Sequence, residues 1–225
     1  KRWLAVGFLA ALMGVSFIPQ IGVLLASVGR GWALTPLPEH YTLEFFRQVS
    51  IETPKFIVNS FLFCGLALLM CLVIGVPMAW IMARTRAPGR STMDALTTLI
   101  LAIPGTAIGI AYVRAFNFPL PFIDMPLTGM WIILPLVLVV RRLPYTVRSS
   151  YSSLLLVHQS MEEAVANVGA TRLRTFWDIT VPLVWKGIFV GALFSLITAL
   201  QEASATIFLT LGGWEMIPFG IFTYY

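Results

Sequence analysis

The side chains that could carry chemistry are few and far apart along the chain. The two histidines, His40 and His158, are widely separated, and no H-E-x-x-H zinc motif is present. Cys64 and Cys71 lie two helical turns apart in one apolar stretch, where small buried hydrophobic residues are a better interpretation than a disulfide or a metal pair. No two carboxylates fall close together in an apolar stretch. The sequence therefore predicts that this chain is not an enzyme and holds no metal or cofactor of its own.

The composition places these residues in a membrane protein. Of 225 residues, 58% are hydrophobic and 11% are charged, whereas about 25% of the residues in a soluble domain are charged. A soluble domain of this size could not bury so much apolar surface, so lipid must solvate the excess. The length allows about five or six membrane helices. The net charge of +5 fits basic cytoplasmic loops, and we expect no nucleic acid as a partner.

The apolar runs predict an all-α polytopic fold with at least five transmembrane helices. A short interfacial helix is expected over residues 42–49, within a polar loop over residues 29–55. The longest polar stretch covers residues 148–182. We take residues 1–225 as one transmembrane domain. The predicted spans are residues 4–28, 56–83, 93–115, a fourth span from about residue 129, and 183–209.

The distribution of basic residues predicts a cytoplasmic N-terminus. Arg84, Arg86 and Arg90 fall on the predicted inner side, and Arg141 and Arg142 count there as well. Snorkelling to the inner interface is the favoured role for that arginine pair, and binding of lipid headgroups or of an anionic residue is the alternative. The stretch 148–182 is then cytoplasmic. Five spans would leave the end of the chain outside, so a returning helix is expected beyond residue 225, with a true five-span protein as the alternative.

Residues 160–182 carry the most specific local signals. Ser160 and Glu163 have the spacing of a capping box, which predicts a helix that begins at Met161. Gly169 stands where that helix should end, because glycine tolerates the left-handed conformation of a helix cap. Thr171 could cap a second short helix with one apolar face, formed by Leu173, Phe176 and Trp177. Pro182 suits the first turn of the next span. An apolar face on a cytoplasmic loop needs a protein to cover it.

This stretch resembles the signature loop of permease subunits of ATP-binding-cassette (ABC) importers. The family pattern is Glu-Ala-Ala, three residues, Gly, nine residues, and Ile-x-Leu-Pro. Here it reads Glu163-Ala164-Val165, Gly169, and Ile179-Thr180-Val181-Pro182. Val165 and Val181 depart from the pattern by small apolar changes. The order of spans from about residue 56 to residue 209 is also similar, so the resemblance implies the type I ABC importer permease fold.

The resemblance implies that residues 160–182 form a cytoplasmic coupling loop that docks on a separate ATPase. ATP and Mg would belong to two such ATPase subunits. A second permease half, fused or separate, and an extracytoplasmic solute-binding protein would complete an inner-membrane complex in the lipid bilayer. The residues implied in ATPase coupling are Glu162, Glu163, Ala164, Val165, Gly169, Ala170, Leu173, Ile179 and Pro182.

Polar residues inside the predicted spans are candidates for a translocation path, because such residues are costly in a membrane. Glu202 is the sharpest candidate, since it is ionisable, and hydration near the outer interface is the alternative. The glycine pairs Gly105/Gly109 and Gly187/Gly191 predict close helix contacts. The path candidates are Asn59, Thr98, Pro104, Gly105, Thr106, Ser195, Thr198 and Glu202.

Residues 97–112 and 201–209 resemble permeases of the ferric-iron importer group. Ferric iron is therefore the first candidate substrate, with thiamine, aminoethylphosphonate, polyamine or sulfate as alternatives in the same class. The resemblance implies that the binding protein supplies most of the specificity and contacts residues 29–55, 117–128 and 212–225. Two readings from other classes stay open: an ion-coupled secondary transporter, with Glu202 as its proton or ion site, and a membrane scaffold without a transport role.

Overall fold

The computed structural model describes residues 2–33, 35–121, 123–167 and 169–224. Tyr225, the last residue of the predicted outer segment 212–225, lies outside the described residues. The chain forms two compact units, Lys1–Pro54 and Lys55–Tyr225. Each unit is described by itself.

The first unit contains one long helix and a small polar hairpin. Helix α1 covers Arg2–Val28 and continues through Pro19. Strands β1 (Gly29–Arg30) and β2 (His40–Tyr41) pair antiparallel, and helix α2 covers Glu44–Glu52. The short helix expected over residues 42–49 is thus confirmed, with a shift of about half a turn. Arg30 donates to Glu44 at 2.8 Å, which joins the hairpin to α2.

Within the described residues, the first part of the second unit contains three helices and one strand pair. Helix α3 covers Pro54–Arg84 and starts at the boundary between the units. Helices α4 (Arg90–Ala102) and α5 (Gly105–Phe116) follow. Strands β3 (Pro119–Leu120) and β4 (Ile123–Pro126) form a second antiparallel pair.

The rest of the second unit is a helical hairpin with a long connection. Helix α6 covers Ile133–Leu156, α7 covers Ser160–Asn167 and α8 covers Arg172–Thr175. A π-helical segment, Phe176–Thr180, joins α8 to α9 (Val181–Leu200). After a 3₁₀ turn at Thr206–Phe208, the chain ends in α10 (Ile217–Tyr224).

Helix α6 lies at the centre of this unit. Its residues Ile133, Leu134, Val137 and Leu138 are fully buried and pack in one cluster with residues of α3, α5 and α9. Helices α6 and α9 approach closely because both carry small residues at the contact: Ser149 of α6 donates to the Gly187 carbonyl at 2.7 Å. The close contacts predicted from Gly187/Gly191 are therefore confirmed.

Among the described residues, three helical stretches are long and apolar enough to cross a membrane by themselves: Arg2–Val28, Pro54–Arg84 and Leu173–Leu200. They correspond to the first, second and fifth predicted spans. The pair α4 and α5 makes a fourth if it is one broken span. Helix α6, the fourth predicted span, carries Arg141, Arg142 and Arg148, which lower its hydropathy.

Two predicted spans were too long or too regular. The third span, residues 93–115, was wrong as one continuous helix, because α4 and α5 are bent by 108° at Ile103 and Pro104. Pro104 lacks the N–H that would continue the helix, and the residue before a proline is pushed into extended backbone. The fifth span was wrong beyond Leu200, where α9 ends and the chain turns.

Replacing Gly191 with Ala should lower the thermal stability of the protein in detergent. The new Cβ would lie 2.8 Å from the Ser149 Cβ and 3.2 Å from the Thr146 Cα. Because the backbone of α6 cannot yield easily, we expect a cost of about 1–3 kcal/mol. The measurement is the midpoint of thermal unfolding.

Gly65→Ala is the matched control, since nothing lies within 4 Å of a Cβ built there. It should equal or exceed the wild-type midpoint, because alanine favours a helix over glycine by about 1 kcal/mol. If Gly191→Ala proves as stable as Gly65→Ala, the close packing of α6 on α9 is contradicted.

Candidate functional site

The loop between α6 and α9 has the predicted helix, with a different cap. Helix α7 starts at Ser160 itself, and the Glu162 and Glu163 amides both donate to the Gln159 carbonyl, at 3.0 and 3.1 Å. The Ser160 hydroxyl lies 2.8 Å from Nδ1 of His158. The capping box and the start at Met161 were therefore wrong: the chain turns one residue earlier, and the hydroxyl has a local partner.

The turn after α7 follows the sequence signals. Gly169 has φ +90°, the left-handed conformation that side chains disfavour. The Thr171 hydroxyl accepts from the Arg174 amide at 3.4 Å, so Thr171 caps α8 as predicted. The second helix is not a separate element, however, because the Phe176–Thr180 segment continues it into α9. Pro182 still lies in the first turn of α9, where its missing N–H breaks no bond.

Arg84, the last residue of α3, holds this loop in place. Its Nε donates to Glu162 Oε1 at 2.9 Å. Its Nη2 donates to the carbonyls of Leu154 and Val157, at 2.8 and 2.7 Å. The two charged side chains are only 8% and 11% exposed. One guanidinium thus satisfies the Val157 carbonyl and is a second donor to the Leu154 carbonyl, which also accepts from the Val157 amide at 3.2 Å. It also neutralises the Glu162 carboxylate in the first turn of α7.

A cavity of about 340 Å³ lies between the end of α3 and the loop. Glu162 and Glu163 line it together with Arg84 and Arg86. Its apolar wall is Trp80, whose ring meets that of Phe176 edge to face, with centroids 5.7 Å apart. This aromatic contact fixes the start of the α8–α9 helix against α3.

The loop keeps a large apolar surface exposed. Leu173 is 69% exposed and Trp177 is 59% exposed, whereas Phe176 is buried. The predicted common face of these three residues was therefore wrong for Phe176, which turns inward to Trp80. The other implied coupling residues are exposed at Glu163, Ala164, Gly169 and Pro182, and half-buried at Glu162, Val165, Ala170 and Ile179.

The most concentrated charge in the second unit surrounds Glu202. This residue is 3% exposed, and its Oε2 accepts from Arg141 Nε at 2.8 Å and from Arg142. Its Oε1 accepts from the Ser204 hydroxyl at 2.6 Å and the Ala205 amide at 3.0 Å. Both carboxylate oxygens are thus paired, and the cluster holds two guanidinium groups against one carboxylate.

This cluster changes two interpretations. Snorkelling of Arg141 and Arg142 to the inner interface was wrong, since their side chains are 16% and 11% exposed and bind Glu202. The alternative of an anionic partner is what the structure contains. The two arginines therefore give no support to the predicted orientation. Simple hydration of Glu202 was also wrong, because its carboxylate is enclosed by protein donors.

The remaining path candidates divide into buried and exposed groups. Ser195 is buried and donates to the Arg142 carbonyl at 3.1 Å. Thr198 donates to the Phe194 carbonyl of its own helix at 2.7 Å. Asn59 binds the carbonyls of Gly213 and Glu215, each at 3.0 Å, and so ties α3 to the segment before α10.

The break between α4 and α5 brings the other candidates near Glu202. Pro104 and Thr106 are exposed and Gly105 is buried. A Cβ at Gly105 would lie 2.8 Å from a terminal nitrogen of Arg141. At Gly109 it would lie 2.8 Å from the Ala205 carbonyl. The close contacts predicted for this glycine pair are confirmed. Thr98 lies apart on the exposed side of α4, where it accepts from Arg148.

Sequence reasoning missed the residues that join distant segments. Arg84 counted only toward orientation, and the ion pair of Arg148 with Asp94, at 2.7 Å, was not foreseen. The sequence signal for the role of Arg84 was its place at the end of the predicted second span, where a basic side chain can bind free carbonyls. Among the described residues, no group of three or more His, Cys, Asp and Glu side chains could hold a metal ion.

The fold is that of a polytopic helical membrane protein, and comparison with known proteins gives its family. A sequence model of the binding-protein-dependent transport system inner membrane component matches residues 75–222. A bacterial ABC transporter that imports the acidic polysaccharide alginate has a similar structure, with a TM-score of 0.64 at 18% identity. That similarity covers 98% of this chain and 79% of the other. The chain belongs to this family of ABC importer permeases.

Its relatives transport different substrates. The ferric transport system permease protein FbpB of Actinobacillus pleuropneumoniae is 30% identical over 76% of this chain and 24% of its own length. The sulfate permease CysT of Salmonella typhimurium is 31% identical over 61% of this chain and 52% of its own. The molybdate/tungstate permease WtpB of Thermococcus kodakarensis is 26% identical over 88% of this chain and 75% of its own length. The chain spans about a quarter of the length of the ferric permeases it matches.

Replacing Arg84 with Gln should release α7 from the ends of α3 and α6. Loss of one partner from a buried ion pair costs about 3 kcal/mol, and here it also removes the side-chain donor of the Val157 carbonyl. We expect faster proteolysis within residues 157–171. Arg174→Gln is the control, since its pair with Asp178 is 76% and 58% exposed and such pairs contribute less than about 1 kcal/mol. Equal cleavage of the two variants would contradict the role of Arg84.

Replacing Glu202 with Gln should lower the thermal unfolding midpoint, because it leaves Arg141 and Arg142 without a counter-charge. The expected loss is about 3 kcal/mol or more. The double variant Glu202→Gln/Arg142→Met should recover part of it, since one uncompensated charge is then removed. A double variant no more stable than the single one would show that charge balance is not what the cluster provides.

Proposed function

We propose that this chain is the membrane-spanning permease subunit of an ATP-driven importer, with its ATPase in separate cytoplasmic subunits. The observation that carries the proposal is the loop over residues 160–182, which is exposed and apolar on one side and fixed to α3 and α6 on the other. An exposed apolar patch marks a protein interface. A loop that is rigidly joined to two membrane helices can pass a push or pull from that interface to both of them.

The proposed assembly follows from the family. Two ATPase subunits, each with its own ATP and Mg, would dock on this loop and on the same loop of a second permease half. An extracytoplasmic binding protein would deliver the substrate to the other side, where residues 29–55, 117–128 and 212–225 are the proposed contacts. In the proposed assembly, the permease lies in the inner membrane and its N-terminus lies in the cytoplasm.

Movement of the loop would reach the proposed path through α6 and α9. Both helices are continuous with the loop, and Arg142 of α6 binds Glu202 at the end of α9. Glu202 and Gly105 lie together at the break between α4 and α5. Pro104 and Thr106 are exposed at this break and are therefore the proposed lining of the path. The buried candidates Ser195 and Glu202 instead hold the surrounding helices together.

Ferric iron is the first candidate substrate, supported by the 30% identity to a ferric permease. A tetrahedral oxyanion such as sulfate or molybdate is the second candidate, and one observation favours it. The cluster of Arg141, Arg142 and Glu202 has an excess of one positive charge, which would attract an anion and repel a ferric ion. Uptake of radioactive iron, sulfate and molybdate by the reconstituted complex separates the two candidates.

Replacement of Gly169 should separate coupling from folding. Valine at φ +90° would cost about 1–3 kcal/mol, and nothing else crowds the position. Gly169→Val should therefore weaken co-purification of the ATPase and lower the ATPase activity stimulated by the loaded binding protein. Gly169→Asn is the control, because asparagine tolerates the left-handed conformation and should retain most of both.

Normal ATPase binding by Gly169→Val would contradict the assignment of this loop. Uptake that persists when the ATPase is inactivated, and that follows an ion gradient, would favour a secondary transporter. ATPase activity that no substrate stimulates would favour a scaffold without transport.

A further inference from the structure

A second cavity lies on the outside of the α6–α9 hairpin, away from Glu202. It is an open groove of about 500 Å³ between the last turns of α6 and the first turns of α9. Arg148 and Lys186 line it from the two helices, with Ser152 and Ser153 between them. The groove therefore presents two cations and hydroxyl donors at the end of the hairpin that leads into the 160–182 loop.

The polar groups of the groove have capacity for a ligand. In the part of the chain that the structure describes, the side chains of Lys186, Ser152 and Ser153 have no hydrogen-bond or ion-pair partner. Lys186 is exposed and is the sixth residue of the apolar helix α9. Arg148 is shared with Asp94 at 2.7 Å, and its side chain is still 40% exposed. The groove thus keeps about one uncompensated positive charge.

Apolar side chains also line the groove and continue beyond it along α9. Leu156 and Val190 form part of its lining and are 88% and 49% exposed. On α9, Lys186, Val190, Phe194 and Ile197 follow one another at helical spacing on one side. Phe194 and Ile197 are 58% and 52% exposed. One end of the groove therefore presents cations and serine hydroxyls, while its continuation along α9 is apolar.

We propose that this groove binds the phosphate of an anionic phospholipid, with the Lys186 ammonium and the serine hydroxyls on the phosphate and an acyl chain along α9. A free oxyanion would use the same donors but would gain nothing from the apolar continuation. Lysine binds a phosphate as a point charge on a flexible stem, and basic pockets between membrane helices on the cytoplasmic side bind anionic headgroups. The site is separate from the cluster around Glu202.

The test uses the purified complex and defined lipids. The complex is exchanged into detergent with phosphatidylglycerol or with phosphatidylcholine, and retained lipid is counted by native mass spectrometry. Wild-type protein should retain phosphatidylglycerol preferentially. Lys186→Gln should reduce that retention about fivefold, the effect of one cation near a membrane surface. Lys186→Arg should restore it, and Arg90→Gln, which removes an exposed cation outside the groove, should leave it unchanged.

Three results would overturn the proposal. Equal retention by wild type and Lys186→Gln would show that the groove does not hold the lipid. Displacement of phosphatidylglycerol by excess inorganic phosphate would assign the groove to a free oxyanion. Cross-linking of a Ser152→Cys variant to the second permease half in the assembled complex would show that protein, and not lipid, covers the groove. None of these results bears on whether the loop binds an ATPase.

Discussion

The guanidinium of Arg84 is the interaction on which the proposed coupling depends. It lies at the meeting point of α3, α6 and α7, and it binds a carboxylate and two backbone carbonyls at once. Without it, the Val157 carbonyl after α6 would lose its donor, and the first turn of α7 would have an unpaired carboxylate that is only 11% exposed. With it, α7 is bonded to the ends of both α3 and α6, so a movement of α7 would pull on both helices. A loop that is fixed in this way can act as a lever, whereas a merely tethered loop could bind a partner without transmitting force.

Pairing of buried charges inside the bundle stabilises the central helix α6. Arg142 and Arg141 would be costly in a membrane segment, but Glu202 returns from the end of α9 to pair with both. The same pairing holds the turn after α9 against the break between α4 and α5. The fold thus uses one carboxylate to place a charged helix in the core and to fix the region where the path is proposed. Glu202 and Ser195, which the sequence marks as candidates for the translocation path, are thus bonded to other residues of the bundle.

Local signals in the sequence predicted part of the local structure, although the capping box at Ser160 was wrong. The turn at Gly169, the Thr171 cap and the first-turn Pro182 depend on residues a few positions apart, and the structure contains all three. The Arg84–Glu162 pair joins residues 78 positions apart, and the Arg142–Glu202 pair joins residues 60 apart. No hydropathy pattern encodes such pairings. The end of α9 was missed for a related reason: Ile207, Phe208 and Leu209 continue the apolar pattern, although Glu202 draws the chain out of the helix.

Cross-linking from the loop tests the central claim most directly. A cysteine at Leu173, which is 69% exposed, is introduced into the full complex, where the native Cys64 and Cys71 are buried. A cysteine at Phe118, 72% exposed in the β3 region, serves as the control on the predicted outer side. The account predicts that Leu173→Cys cross-links to a subunit that binds ATP, that nucleotide changes the yield, and that Phe118→Cys does not cross-link to that subunit. A Leu173 cysteine that stays free, or that cross-links only to a protein without a nucleotide site, would contradict it.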